Sequence, residues 1–200
     1  MKQVRKFKIK VTAEKFLKDA KVFRLKRRSD NIAYREFLNY FKNCNNITLH
    51  NLIIGINFTY GWMPTIFEFT SSNLEECIPL LNKVKSNSDL SQEELTLMKS
   101  TFNNSLVGTS KLLHFINPES YPIWDSRVYR YLTSTEPYSD RISDPASYWE
   151  YVKWIRQLAL HPQFNDAVKT VERCVQYKIS NIRVAELVMY SFGGKLVKPK

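Results

Sequence analysis

Apolar residues recur at helical spacing along most of this chain, and a helix-capping residue stands in front of many of those stretches. Phe16, Leu17, Ala20 and Phe23 form one such series after Ala13, and Ile32, Tyr34, Phe37, Leu38 and Phe41 form the next, behind Ser29 as a stop and Asp30 as an N-cap. A stripe of this period marks a helix that buries one face. Asn73 is expected to cap a helix running through Val84, and Ser91, Gln92, Glu93, Glu94 read as a capping box opening a helix to about Asn103. Asp144 and Pro145 supply an N-cap and a first helical position for a long helix through Tyr148, Val152, Ile155 and Leu158. Two more helices are expected, from about Asn165 to Tyr177 and from Asn181 to Phe192, the last closed by Gly193 and Gly194. The most apolar segment, 46–58, is assigned to a buried helix, its branched residues leaving a strand open; Gly61 and Pro64 mark a turn at 59–65. The charged–apolar alternation over 2–11 suits a strand or an extended arm. The expected fold class is therefore all-α.

Two hundred residues with 44% apolar content suffice for a buried core, as one domain over 1–200 or as two small helical lobes sharing a cleft. No stretch reaches the roughly 20 uncharged apolar residues that crossing a bilayer takes, and no apolar run follows the basic amino end. A soluble, cytoplasmic protein without a membrane partner is expected. Cys44, Cys77 and Cys174 lie too far apart for a metal-ligand pattern and read as buried thiols, so neither metal nor cofactor is implied.

The net charge of +11 is concentrated at one end. Residues 1–28 hold twelve Lys and Arg against Glu14 and Asp19, a local net of +10, and the rest of the chain is close to neutral. Such a segment attracts a phosphate backbone through counterion release, in a manner that weakens with salt. Arg27 and Arg28 belong to it and are candidate DNA contacts; a solvated arm that only aids solubility is the plainer reading.

Residues 91–132 carry the motif. A helix from Ser91, the bend Asn103-Asn104-Ser105-Leu106-Val107-Gly108 and a second helix from Thr109 make two short helices joined by a glycine-containing hairpin. Tyr121, Pro122, Ile123, Trp124, Asp125, Val128 and Arg130 follow: apolar, Pro, apolar, any, Asp, two residues, Val, then a basic helix. In order and spacing this resembles the helix-hairpin-helix DNA glycosylases, nearest to 8-oxoguanine glycosylase-like proteins of prokaryotes. The likeness covers about Leu106 to Leu132, with support from IRVAELV at 182–188.

The resemblance implies a helical bundle of two lobes around a cleft and a monomer acting on double-stranded DNA. It implies that Asp125 is the catalytic carboxylate, supporting positive charge on the sugar as the glycosidic bond breaks; the plainer reading of Asp125 is a helix N-cap. Backbone amides around Val107, Gly108, Thr109 and Ser110 are expected to meet a phosphate, as are Arg127 and Arg130. Family members that nick the strand carry a lysine where this chain has Val107 or Gly108; Lys111, one turn on, is the candidate amine or phosphate clamp, and a plain surface lysine is the alternative. The iron–sulfur cluster of some members would need four closely spaced cysteines that this chain lacks. Trp62, Tyr60, Trp124 and His114 are candidates for lining a flipped base, against the alternative that each is core. The expected function is base excision, in repair or in defence against phage with modified DNA, by a monofunctional enzyme or one with weak lyase activity. The competing expectation is a non-catalytic helix-hairpin-helix module that binds DNA or RNA.

Overall fold

A computed structural model describes residues 7–25, 30–69 and 73–194, with every regular element helical. The described helices are α1 (Ala13–Lys21), α2 (Asp30–Lys42), α3 (Leu49–Trp62), α4 (Leu74–Lys85), α5 (Gln92–Thr101), α6 (Leu106–Ile116), α7 (Ser126–Thr133), α8 (Ser139–Ile142), α9 (Pro145–Ala159), α10 (Phe164–Val175) and α11 (Asn181–Phe192). Among the described residues no helix is long and apolar enough to cross a membrane. The all-α expectation holds. Arg27, Arg28 and Ser29 lie outside the described residues.

The helices fall into two compact units: one of residues 7–25 and 125–194, the other, within 27–124, containing α2 to α6. In the discontinuous unit α11 is the hub, packed against α1, α7, α9 and α10. Its residues from Ile182 to Met189 are all buried, so this stretch of the helix has no solvent face to polarise. The two charges on that stretch, Arg183 and Glu186, sit one turn apart and pair with each other. At its end Gly193 is obligatory: a Cβ there would run into the backbone carbonyl of Arg127, so only glycine lets α11 close on α7. Residues 7–12 lie extended beside α7, where the N–H groups of Lys10 and Val11 donate to the Leu132 carbonyl at 2.8 and 3.4 Å. Phe7 and Ile9 turn partly inward while Lys8 and Lys10 stay exposed, the alternation an extended segment imposes.

In the continuous unit α6 is the hub, packed against α2, α3, α4 and α5. Its buried polar groups are two hydroxyls and an imidazole: Thr109, Ser110 and His114. The sequence places the start of this helix at Thr109, and the structure corrects it to Leu106, because Ser105 caps the helix by accepting from the Gly108 N–H at 3.0 Å. The bend is Phe102 to Ser105, with Asn103 and Asn104 at φ of 54° and 49°, a region asparagine tolerates. Gly108 is inside the helix for a different reason than a turn. A Cβ there would meet the Tyr60 hydroxyl at 2.5 Å.

Three more expectations are corrected. The turn read at 59–65 begins later, since α3 continues through Tyr60, Gly61 and Trp62. Asn73 precedes α4 but makes no side-chain cap hydrogen bond. Of the cysteines only Cys77 is buried; Cys44 and Cys174 are half-buried, their thiols directed at the carbonyls of Tyr40 and Phe23.

Candidate functional site

The chain enters α7 through Asp125, which is extended (φ −153°, ψ 176°) and half-buried. Its Oδ1 accepts from the backbone N–H groups of Arg127 and Val128 at 2.8 and 2.9 Å. Asp125 is thus an N-cap, as the plainer reading has it, yet the cap occupies one oxygen; among the described residues Oδ2 makes no hydrogen bond. Tyr151, in the same unit, is close enough to feel the Asp125 charge, and is buried together with Tyr148, Arg183 and Glu186. Burial, and then the negative charge of Glu186 with lesser contributions from Tyr148 and Asp125, hold the Tyr151 hydroxyl well above its usual range. Tyr151 is therefore a neutral neighbour of the carboxylate and not a second anion.

Two arginines expected to meet phosphate follow Asp125 and have different surroundings. Arg130 is tied into the fold: its Nε donates to the Gly193 carbonyl and its Nη1 to Glu136 Oε2, both at 3.2 Å. Arg127 lies with its guanidinium carbon 4.3 Å from the centre of the Tyr190 ring, a cation–π stack.

The remaining candidates belong to the continuous unit. Lys111 is half-buried on α6, its Nζ 5.6 Å from the centre of the Trp62 ring. Trp62 is half-buried at the end of α3, its ring 5.3 Å from Phe115 and 6.4 Å from Tyr34, between centroids. His114, one turn beyond Lys111, is fully buried. Its Nδ1 is 2.7 Å from the Tyr121 carbonyl, which can only accept, so Nδ1 carries the proton; in the neutral ring Nε2 then accepts from the Tyr34 hydroxyl at 2.8 Å. The structure therefore brings Lys111, Trp62, Tyr34 and His114 together, of which Tyr34 was not read from the sequence.

Other candidates are packed away. Tyr60 is buried, donates to the Phe102 carbonyl at 2.7 Å, and has its hydroxyl pushed up to about 12 by burial. Trp124 has no exposed surface; the Ser110 hydroxyl accepts from its backbone N–H at 3.0 Å and faces its carbonyl at 3.4 Å. Thr109 is buried with its hydroxyl on the Ser105 carbonyl at 2.8 Å. Val107 is half-buried, and the Gly108 N–H already has Ser105. The side chains of Thr109 and Ser110 thus fix the fold and are not presented outward.

Tyr190 and the buried Arg183–Glu186 pair also went unread. The pair had a signal: two opposite charges three apart inside the apolar run IRVAELV can only be buried as partners. Tyr190 had none, since it lies 63 residues from Arg127. No protein-family model, no curated protein and no solved structure matches the chain.

Proposed function

We propose that the chain is a DNA N-glycosylase of the helix-hairpin-helix kind, acting through Asp125. The observation that carries the reading is how this carboxylate is held: one oxygen is fixed by two backbone amides of α7, and the other is left open to act. In such a reaction the bond from C1′ of the sugar to the base nitrogen breaks with its electron pair leaving on the base, which takes a proton from solvent. Water adds to C1′ and passes a proton to the carboxylate, which has meanwhile stabilised the cationic sugar. Water is the attacking group in this reading. Lys111 rests on Trp62 and is not the nucleophile in this reading.

Asparagine caps a helix as well as aspartate does, so Asp125→Asn removes the charge and keeps α7. Single-turnover excision from duplexes carrying oxidised, alkylated or hypermodified bases should fall by about 100-fold or more. An unchanged rate in this variant would remove Asp125 from the chemistry. If no base in the panel is excised, and binding to DNA is the same with and without the substitution, the chain is the non-catalytic binding module instead.

A further inference from the structure

We infer that Arg127, laid against Tyr190, is a seat for one phosphodiester of the DNA strand; the identity of that ligand rests on the reading just given. Three observations converge on it. The guanidinium is held flat by an aromatic face at 4.3 Å, which fixes its plane and removes the rotamer freedom a surface arginine would lose on binding. Its Nε is buried and makes no hydrogen bond, and among the described residues no carboxylate lies at ion-pair distance from the side chain. Arg130, three residues further along the same helix, shows the contrast: its Nε and Nη1 are both occupied.

Stacking uses the face of a guanidinium and leaves its edge. That edge is a planar fork of N–H donors that matches two oxygens of a phosphate. Nε lies out of reach of solvent, so the two Nη groups, which make no hydrogen bond among the described residues, are the donors left for a ligand. A phosphodiester presents two oxygens to such a fork and also answers its charge, which a neutral base does not do. The Arg127 backbone N–H is itself bound to Asp125 Oδ1, so a strand gripped here is gripped at the start of the same helix that presents the carboxylate. Tyr190 becomes a positioning residue: it sets the plane of Arg127 and touches no DNA.

The test is affinity for a short fluorescein-labelled duplex of unmodified DNA, measured by anisotropy across a salt series, so that it does not depend on excision. Arg127→Ala is expected to weaken binding about five- to tenfold at low salt and to lower the slope of log affinity against log salt by about 1. Tyr190→Leu keeps the charge and loses the platform, so affinity falls while the slope stays. Tyr190→Phe keeps the ring and should match the wild type. Wild-type affinity and slope in Arg127→Ala would overturn the inference while leaving the DNA reading intact, and so would a Tyr190→Phe protein as weak as Tyr190→Leu. Failure of the wild-type protein to bind duplex at low salt would overturn both.

Discussion

The two units are built alike and charged differently. Residues 1–26 and 125–200 together hold 22 basic and 10 acidic side chains, whereas residues 27–124 hold 8 basic and 9 acidic ones. The same difference runs to the centre: hub α11 buries an ion pair, while hub α6 buries hydroxyls and one imidazole. The unit holding the hairpin thus carries almost none of the net charge, and the unit holding Asp125 carries all of it. Electrostatic attraction for a polyanion therefore resides with the carboxylate's unit and not with the bend that the motif singles out.

The comparison can be broken most sharply at the two hubs. Glu186→Gln leaves Arg183 without its counter-charge in a dry interior and should cost about 3–5 kcal/mol in urea unfolding; a loss under about 1 kcal/mol would mean that water reaches the pair. Its counterpart in α6 is milder: His114→Leu removes the imidazole from the Tyr34 hydroxyl and the Tyr121 carbonyl, and about 1–3 kcal/mol is expected. The two obligatory glycines sharpen the same contrast. Gly193→Ala presses on the backbone of α7 and should approach about 3 kcal/mol, whereas Gly108→Ala presses on a movable tyrosine hydroxyl and should stay nearer 1 kcal/mol. Equal losses would mean that α7 yields as easily as Tyr60 does.

The smallest expected effect is at the surface of the continuous unit. Lys83, and then the Ser91 backbone N–H, hold the Glu94 carboxyl below its ordinary range. A depressed carboxyl stabilises the fold above its unfolded pKa of about 4.3 and loses that contribution as pH falls through the folded value. Both partners are partly exposed, so Glu94→Gln should cost less than about 1 kcal/mol at pH 7 and nothing once the wild-type carboxyl is protonated. A difference that persists in acid would show that the capping geometry, and not the charge, is what matters there.

What could be read in advance follows from how local each signal is. Asp144 and Pro145 open α9, and α11 spans Asn181–Phe192, both as the sequence indicates, because caps and apolar period act within a turn or two. The start of α6 differs from the sequence expectation because Gly108 answers a tyrosine 48 residues away and not a turn. Gly61 misled likewise, since the apolar drive that buries Tyr60 in α3 outweighs one poor helix former. At the candidate site, the place of Asp125 at the head of a basic helix was legible. That Thr109, Ser110 and Trp124 serve packing, and that Tyr190 lies under Arg127, depends on contacts between distant parts of the chain.

The backbone bonds from Lys10 and Val11 to Leu132 bear on the order in which the molecule assembles. They join segments separated by more than a hundred residues, and α1 needs α10 and α11, which are made long after it, before it has anything to pack on. Every contact of the continuous unit closes within residues 27–124, so it should acquire structure before the discontinuous unit, which waits for α7 to α11. Until then the stretch 7–25, with six Lys and Arg against two acids, remains an unanchored polycation, open to passing polyanions before it has a fold to join.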